Sequence, residues 1–202
     1  MSKENRTLLL QIVLLIVTII TTTLAGAEWT FGKSFIAGDE RLTLTHFWQG
    51  LHFSIPFLIV LTIHEFGHYF VAQYHKVKVS LPYYIPLWFG LSPGIGTMGA
   101  FIRIKSFVQS RTQFFDIGVS GPLAGFAAAL VLLWYGFTHL PPIDYVFTIH
   151  PEYERFGHSY SQFAYENPEG NIALGDNLLF WFFKNYVADP TLLPHDFEII
   201  HY

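Results

Sequence analysis

Long apolar runs alternate with short polar connections along this chain, and three of the runs are long enough to cross a bilayer. The first extends from about Thr7 to Gly26 without a charged residue. Some twenty residues, at roughly 1.5 Å each, cover the ~30 Å hydrocarbon core. The second run is residues 51–74 and the third about 114–137, and both read as helices. A competing reading of the first run is a signal peptide, with Lys3 and Arg6 as a basic start, Leu8 to Ile20 as an apolar centre and Ala25-Gly26-Ala27 as a cleavage-like site.

Between the second and third runs, residues 77–105 do not fit a helix. Pro82, Pro86 and Pro93 interrupt it and Gly90, Gly94, Gly96 and Gly99 supply turns. From Ala100 to Lys105 the pattern alternates, with Phe101, Arg103 and Lys105 on one face and Ile102 and Ile104 on the other, which is strand periodicity. Strands at membrane depth must be buried in protein or line a watery cavity, and a free edge there can hold an extended peptide. The plainer alternative is a connecting loop. The pattern as a whole predicts an all-α polytopic membrane protein, with about three transmembrane helices and a small membrane-associated β or re-entrant region at 77–105.

Composition supports that class. Hydrophobic residues make up 51% of the 202 and charged residues 13%, about half the usual charged share of a soluble domain. No cysteine is present, which excludes a disulfide framework and a thiolate metal site and leaves His, Asp and Glu as ligands. With no internal repeat, residues 1–202 read as one membrane domain. The net charge of −4 is unevenly spread. Lys3 and Arg6 precede the first span, and Lys76, Lys78, Arg103, Lys105 and Arg111 lie between the second and third. Glu28, Asp39, Glu40, Asp144, Glu152, Glu154, Glu166 and Glu169 fall on the other connections. By the positive-inside rule the N-terminus and the 77–105 region are expected on the cytoplasmic side.

The chemistry is concentrated at residues 64–68, His-Glu-Phe-Gly-His, inside the second span. A spacing of four stacks His64 and His68 on one helical face, where two imidazoles can share a metal ion, with Glu65 beside them as a candidate base. Ionisable residues within a span are costly and point to function. The bland alternative is a polar seam hydrogen-bonded to neighbouring helices. Gly67 lets another backbone approach. Gly121 and Gly125, with Ala124, Ala128 and Ala129, form a small-residue face suited to helix packing, and Pro122 is expected to kink or begin the third helix. His75 reads as a solvated interface residue.

The segments HEFGHYFVA, GTMGAFIRIKS and FDIGVSGPLAGF, in this order and spacing, resemble the site-2 protease family of intramembrane zinc metalloproteases, in the branch without a PDZ domain. The likeness is strongest over residues 50–140 and looser around GDNLLFWFF at 175–183. It implies that His64 and His68 bind Zn2+, that Glu65 is the catalytic base, and that the substrates are proteins anchored in the lipid bilayer and cut in or near their transmembrane helices. No nucleic-acid partner is expected.

One departure is specific. Family members complete the metal site with the Asp of a Leu-Asp-Gly motif on a further transmembrane segment, and no Leu-Asp-Gly occurs here. The expectation is that the domain lacks its C-terminal part, residues 189–202 resembling the approach to that segment. Among the acids present, Asp116 is the one candidate for a substitute ligand, expected on the zinc side at the start of the third span, whereas Asp176 falls on the opposite side. The alternative function is a non-catalytic pseudoprotease that binds partner transmembrane helices. A transporter fits less well, since three spans are few and no paired broken helices appear.

Overall fold

The computed structural model describes residues 2–38, 41–90, 94–142, 144–160 and 177–193. The expectations placed on Asp39, Glu40, Pro93, Glu166, Glu169 and Asp176, and on the chain from residue 194, lie outside these residues. The three apolar runs form helices of membrane-spanning length and composition: α1 (Lys3–Phe31), a second comprising α2 (Leu44–Phe47), a 3-10 turn (Trp48–Gly50) and α3 (Leu51–Tyr74), and α4 (Arg111–Thr138). Between α3 and α4 lies an antiparallel hairpin, β1 (Tyr83–Pro86) and β2 (Thr97–Phe101). Beyond α4 come α5 (Tyr145–Ile149), a 3-10 segment (Pro151–Ser159) and α6 (Leu178–Tyr186).

The chain divides into two compact units, residues Met1–Trp29 with Lys33–Leu130, and Thr30–Gly32 with Val131–Tyr202. In the first, α1 is polar inside and apolar outside. Gln11, Thr18, Thr22 and Glu28 are buried, while Leu8, Leu9, Leu10, Ile12 and Ile16 are exposed. That inversion suits a helix whose outer face meets lipid and whose polar groups need protein partners. Thr22 and Ser54 share a hydroxyl hydrogen bond of 2.7 Å that ties α1 to α3. The two helices cross at glycines: a Cβ on Gly26 would lie 2.6 Å from the Gly50 carbonyl oxygen. Ala25 and Ala27 are fully buried at this crossing, so the cleavage-like triplet is packing surface.

Helix α3 ends in a Schellman motif. Lys76 N–H donates to the Gln73 carbonyl (2.9 Å) and Val77 N–H to that of Ala72 (2.9 Å). Ala72 and Val77 join Val79 and Ile117 in a buried apolar cluster. The motif needs a left-handed residue, and Lys76 supplies it with φ 58°, the described non-glycine residue with positive φ.

The hairpin runs alongside α1. The Gln11 amide donates to the Leu81 carbonyl (2.7 Å), Gly96 packs against Thr21 and Thr22, and Trp29 donates to the Gly94 carbonyl (3.0 Å). At the tip, the buried Glu28 carboxylate accepts from the Trp88 indole (2.9 Å), the Ser34 hydroxyl (3.1 Å) and the Phe35 N–H (3.2 Å). From Gln11 to Glu28 is about 25 Å of helix rise, and seven residues of strand from Leu81 to Trp88 cover about 23 Å. The hairpin therefore spans most of the depth of α1. No Asp, Glu, Lys or Arg occurs between Lys78 and Arg103, and the basic residues sit at its base. Strand pairing is centred earlier than the alternation suggests. The register joins Tyr83 to Phe101 and Tyr84 to Ala100, and the ladder continues irregularly through a Val79–Ile104 bridge to a Lys105 N–H bond with the Lys78 carbonyl (2.7 Å).

Pro122 does not begin α4, which passes through it. Its missing N–H leaves the carbonyl of Gly118 without the donor four residues on. In the second unit, Phe137 at the end of α4 packs its ring on Phe180 and Phe183 of α6 at centroid distances of 5.6 and 5.5 Å. Asn177 caps α6 by accepting from Phe180 N–H at 3.0 Å.

Candidate metal centre and active site

Helical spacing places His64 and His68 on one face of α3, and the first unit converts that proximity into a defined site. The Nε2 atoms of the two rings are 3.1 Å apart. On the opposite edge of the His68 ring, Nδ1 lies 2.6 Å from the main-chain carbonyl of Ile117 on α4. A carbonyl only accepts, so Nδ1 carries the hydrogen and Nε2 keeps its lone pair facing His64. Ser120 also donates to that carbonyl, at 2.8 Å. This is how metal-ligating histidines are usually held.

The small residues of α4 make room for the rings. A Cβ on Gly121 would run into the His68 imidazole, and one on Gly125 would sit 3.1 Å from His64 Cβ and 3.2 Å from its Nδ1. Reciprocally, a Cβ on Gly67 would lie 2.7 Å from the Ser120 carbonyl oxygen and 3.0 Å from Ala124 Cβ. Gly67, Gly121 and Gly125 thus allow one close antiparallel contact between α3 and α4, with the histidines inside it. The small-residue face is packing surface and site lining at once.

Glu65 is 4% exposed. It shares with His64 and His68 the wall of a cavity of about 400 Å³, otherwise lined by Ala100, Phe101, Ile102, Ile104, Val108, Phe114, Ile117 and Gly118. No described residue hydrogen-bonds its carboxylate. The hairpin is fastened beside it through Tyr84, whose hydroxyl is 2.8 Å from that of Thr62, one turn before Glu65.

Asp116 is not in the site. Its carboxylate pairs with His75 Nε2 at 2.8 Å, bridging the start of α4 to the end of α3. His75 is therefore partnered rather than solvated. Among the described residues, no group of three His, Cys, Asp or Glu side chains converges as a metal site. The two histidines nevertheless fit zinc as a partial set: two nitrogens at about 2.0–2.1 Å from a tetrahedral ion are roughly 3.3 Å apart, close to the separation here.

Residues 52–189 match Peptidase family M50. The chain belongs to this family. The M50 match covers α3, the hairpin, α4 and α6, and so contains every residue of the site described above. The chain is 37% identical over 96 residues to the "Probable zinc metalloprotease EGY2, chloroplastic" of Arabidopsis thaliana, covering 48% of this chain and 16% of that protein. It is 34% identical over 98 residues to the "Probable zinc metalloprotease EGY1, chloroplastic" of Oryza sativa subsp. japonica, again 48% and 16%. A "Putative zinc metalloprotease" of Xylella fastidiosa is 30% identical over 105 residues, covering 40% of this chain and 24% of that protein. The matched region of this M50 chain thus spans about a sixth of the first two relatives and a quarter of the third. No solved structure matches it.

Proposed function

We propose that this M50 chain carries the core of an intramembrane zinc metalloendopeptidase that cuts membrane-anchored proteins in or near their transmembrane helices. The observation that carries the reading is the His68 ring. Its Nδ1 is held by the Ile117 carbonyl and its Nε2 faces His64 across 3.1 Å, beside the buried Glu65. His64 and His68 are two of the ligands, and the third donor lies outside the described residues. A zinc ion bound there supplies a Lewis acid and makes water more acidic. Glu65 takes the proton of the attacking water and delivers it to the leaving amine.

The cavity supports the substrate class. An α-helix about 10–12 Å across would fill 400 Å³ with about one turn or less. A transmembrane substrate therefore unwinds locally, and β2, whose Ala100 and Phe101 line the cavity, offers an edge for the opened segment. A proline at Ile102 should impair cleavage while sparing zinc. The basic base of the hairpin and the N-terminus face the cytoplasm by the positive-inside rule.

The test is zinc content together with cleavage of a transmembrane peptide by the full-length protein in liposomes. The expected result is about one zinc per chain, lost in His64→Ala, with Glu65→Gln keeping zinc but abolishing cleavage. A zinc-free protein whose behaviour is indifferent to Glu65→Gln would replace this reading with a pseudoprotease that binds partner helices.

A further inference from the structure

Four glycines are described in α4, and they differ in what a side chain would meet. Gly121 and Gly125 face the histidines, so their missing side chains are required by packing. At Gly118 an added Cβ meets nothing within 4 Å, and its backbone is not in the left-handed region. Neither space nor conformation asks for glycine, and glycine costs a helix stability relative to alanine. Gly136 is equally open, but Gly118 differs from it by lining the cavity that holds His64, Glu65 and His68. Leaving this position bare keeps open volume beside the reacting groups.

The walls define what fits that volume. Apart from His64, Glu65 and His68, the lining is apolar, with Phe101, Ile102, Ile104, Val108, Phe114 and Ile117 around it. Among the described residues no Lys, Arg or second carboxylate lines it, so a charged substrate side chain would find no ion-pair partner among these walls.

We propose that Gly118 is the specificity-determining residue of this site: its missing side chain opens a pocket for one bulky apolar residue of the substrate next to the scissile bond, and its size sets the largest residue accepted. The proposal rests on the protease reading above and adds the chemical class of the residue recognised.

The experiment uses the full-length protein in liposomes with three transmembrane peptides that differ only by Ala, Leu or Phe at the cleavage-flanking position. The wild type should cleave the Leu and Phe peptides at least as fast as the Ala peptide. Gly118→Ala should lower the Phe-to-Ala rate ratio, and Gly118→Leu should lower it by about tenfold or more, the scale on which a hydrophobic pocket discriminates by size. The melting temperature of Gly118→Ala should be preserved or raised, since alanine favours the helix and the added Cβ meets nothing. An unchanged ratio in both variants would overturn the proposal. Because these 202 residues hold no cysteine, Gly118→Cys in a Glu65→Gln background, with any cysteine outside them replaced by serine, gives a single thiol whose maleimide labelling reports occupancy without catalysis. Protection by the Phe peptide but not the Ala peptide upholds the pocket even if the wild type cleaves nothing, in which case the protease reading alone fails. Equal labelling with and without either peptide overturns the pocket.

Discussion

Gly121 on α4 lies directly against the His68 imidazole on α3, so closely that a single methyl group at position 121 has no space of its own. The ring is also held from behind by Ile117, one helical turn earlier on the same helix. A glycine and a carbonyl from one stretch of α4 therefore fix where the second histidine of the motif can sit.

Gly121→Ala is accordingly expected to be the most damaging small change in α4. It should lower thermal stability by about 1–3 kcal/mol, as overpacking usually does, and displace His68 enough to cut zinc retention. Gly125→Ala, whose Cβ would meet His64 at 3.1–3.2 Å, should be milder on both counts. Metal content and thermal unfolding of the two purified variants measure this; equal losses would show that the contact is not specific to His68.

Asp116→Asn separates a ligand from a structural acid. Because the carboxylate pairs with His75, zinc content should stay at the wild-type level while stability falls modestly. Loss of zinc in this variant, with His75→Ala retaining it, would make Asp116 a ligand after all.

Glu28→Ala removes one carboxylate and strands two donors, the Trp88 indole and the Phe35 N–H, while the Ser34 hydroxyl keeps the Gly90 carbonyl at 2.6 Å. An unmet buried donor costs about 1–3 kcal/mol and these partly buried ones less, and the loss should loosen the hairpin tip without touching His64 or His68. Limited proteolysis between residues 86 and 97 and a red shift of tryptophan emission should rise together. A protease-resistant tip with unchanged emission would mean that the latch contributes nothing.

Lys76→Gly should stabilise the protein. The left-handed backbone at this position costs a non-glycine residue roughly 1–2 kcal/mol, and glycine removes that strain while keeping both Schellman hydrogen bonds. A raised midpoint in chemical denaturation is the expected readout; a lowered one would mean that the Lys76 side chain contributes more than its backbone strain costs.

The spans and the two-histidine motif were legible because they are written in local patterns: a charge-free apolar run, and a spacing of four on a helix. Helix α1 extends beyond the apolar run at both ends, to Lys3 and Phe31, since capping rather than hydropathy sets a boundary. Gly32, with φ 62°, closes it. The hairpin's depth had a signal in the uninterrupted absence of charge from Val79 to Ile102, stronger than the short alternation at 100–105. The His75–Asp116 pair joins residues 41 apart in the chain, and no periodicity announces such a partner. Tyr84 and Phe101 were hidden for the same reason, their roles arising only when the hairpin folds back onto α3.

The Ile117 carbonyl carries a different consequence. Every amino acid at position 117 brings the same oxygen, so an alanine scan would pass over the group that sets the His68 tautomer. Its genetic signature appears elsewhere, at residues such as Gly67 and Gly121 that keep α4 within reach. In this site the histidine's protonation pattern is inherited through helix position, and the codons that control it do not encode the atom that does the holding.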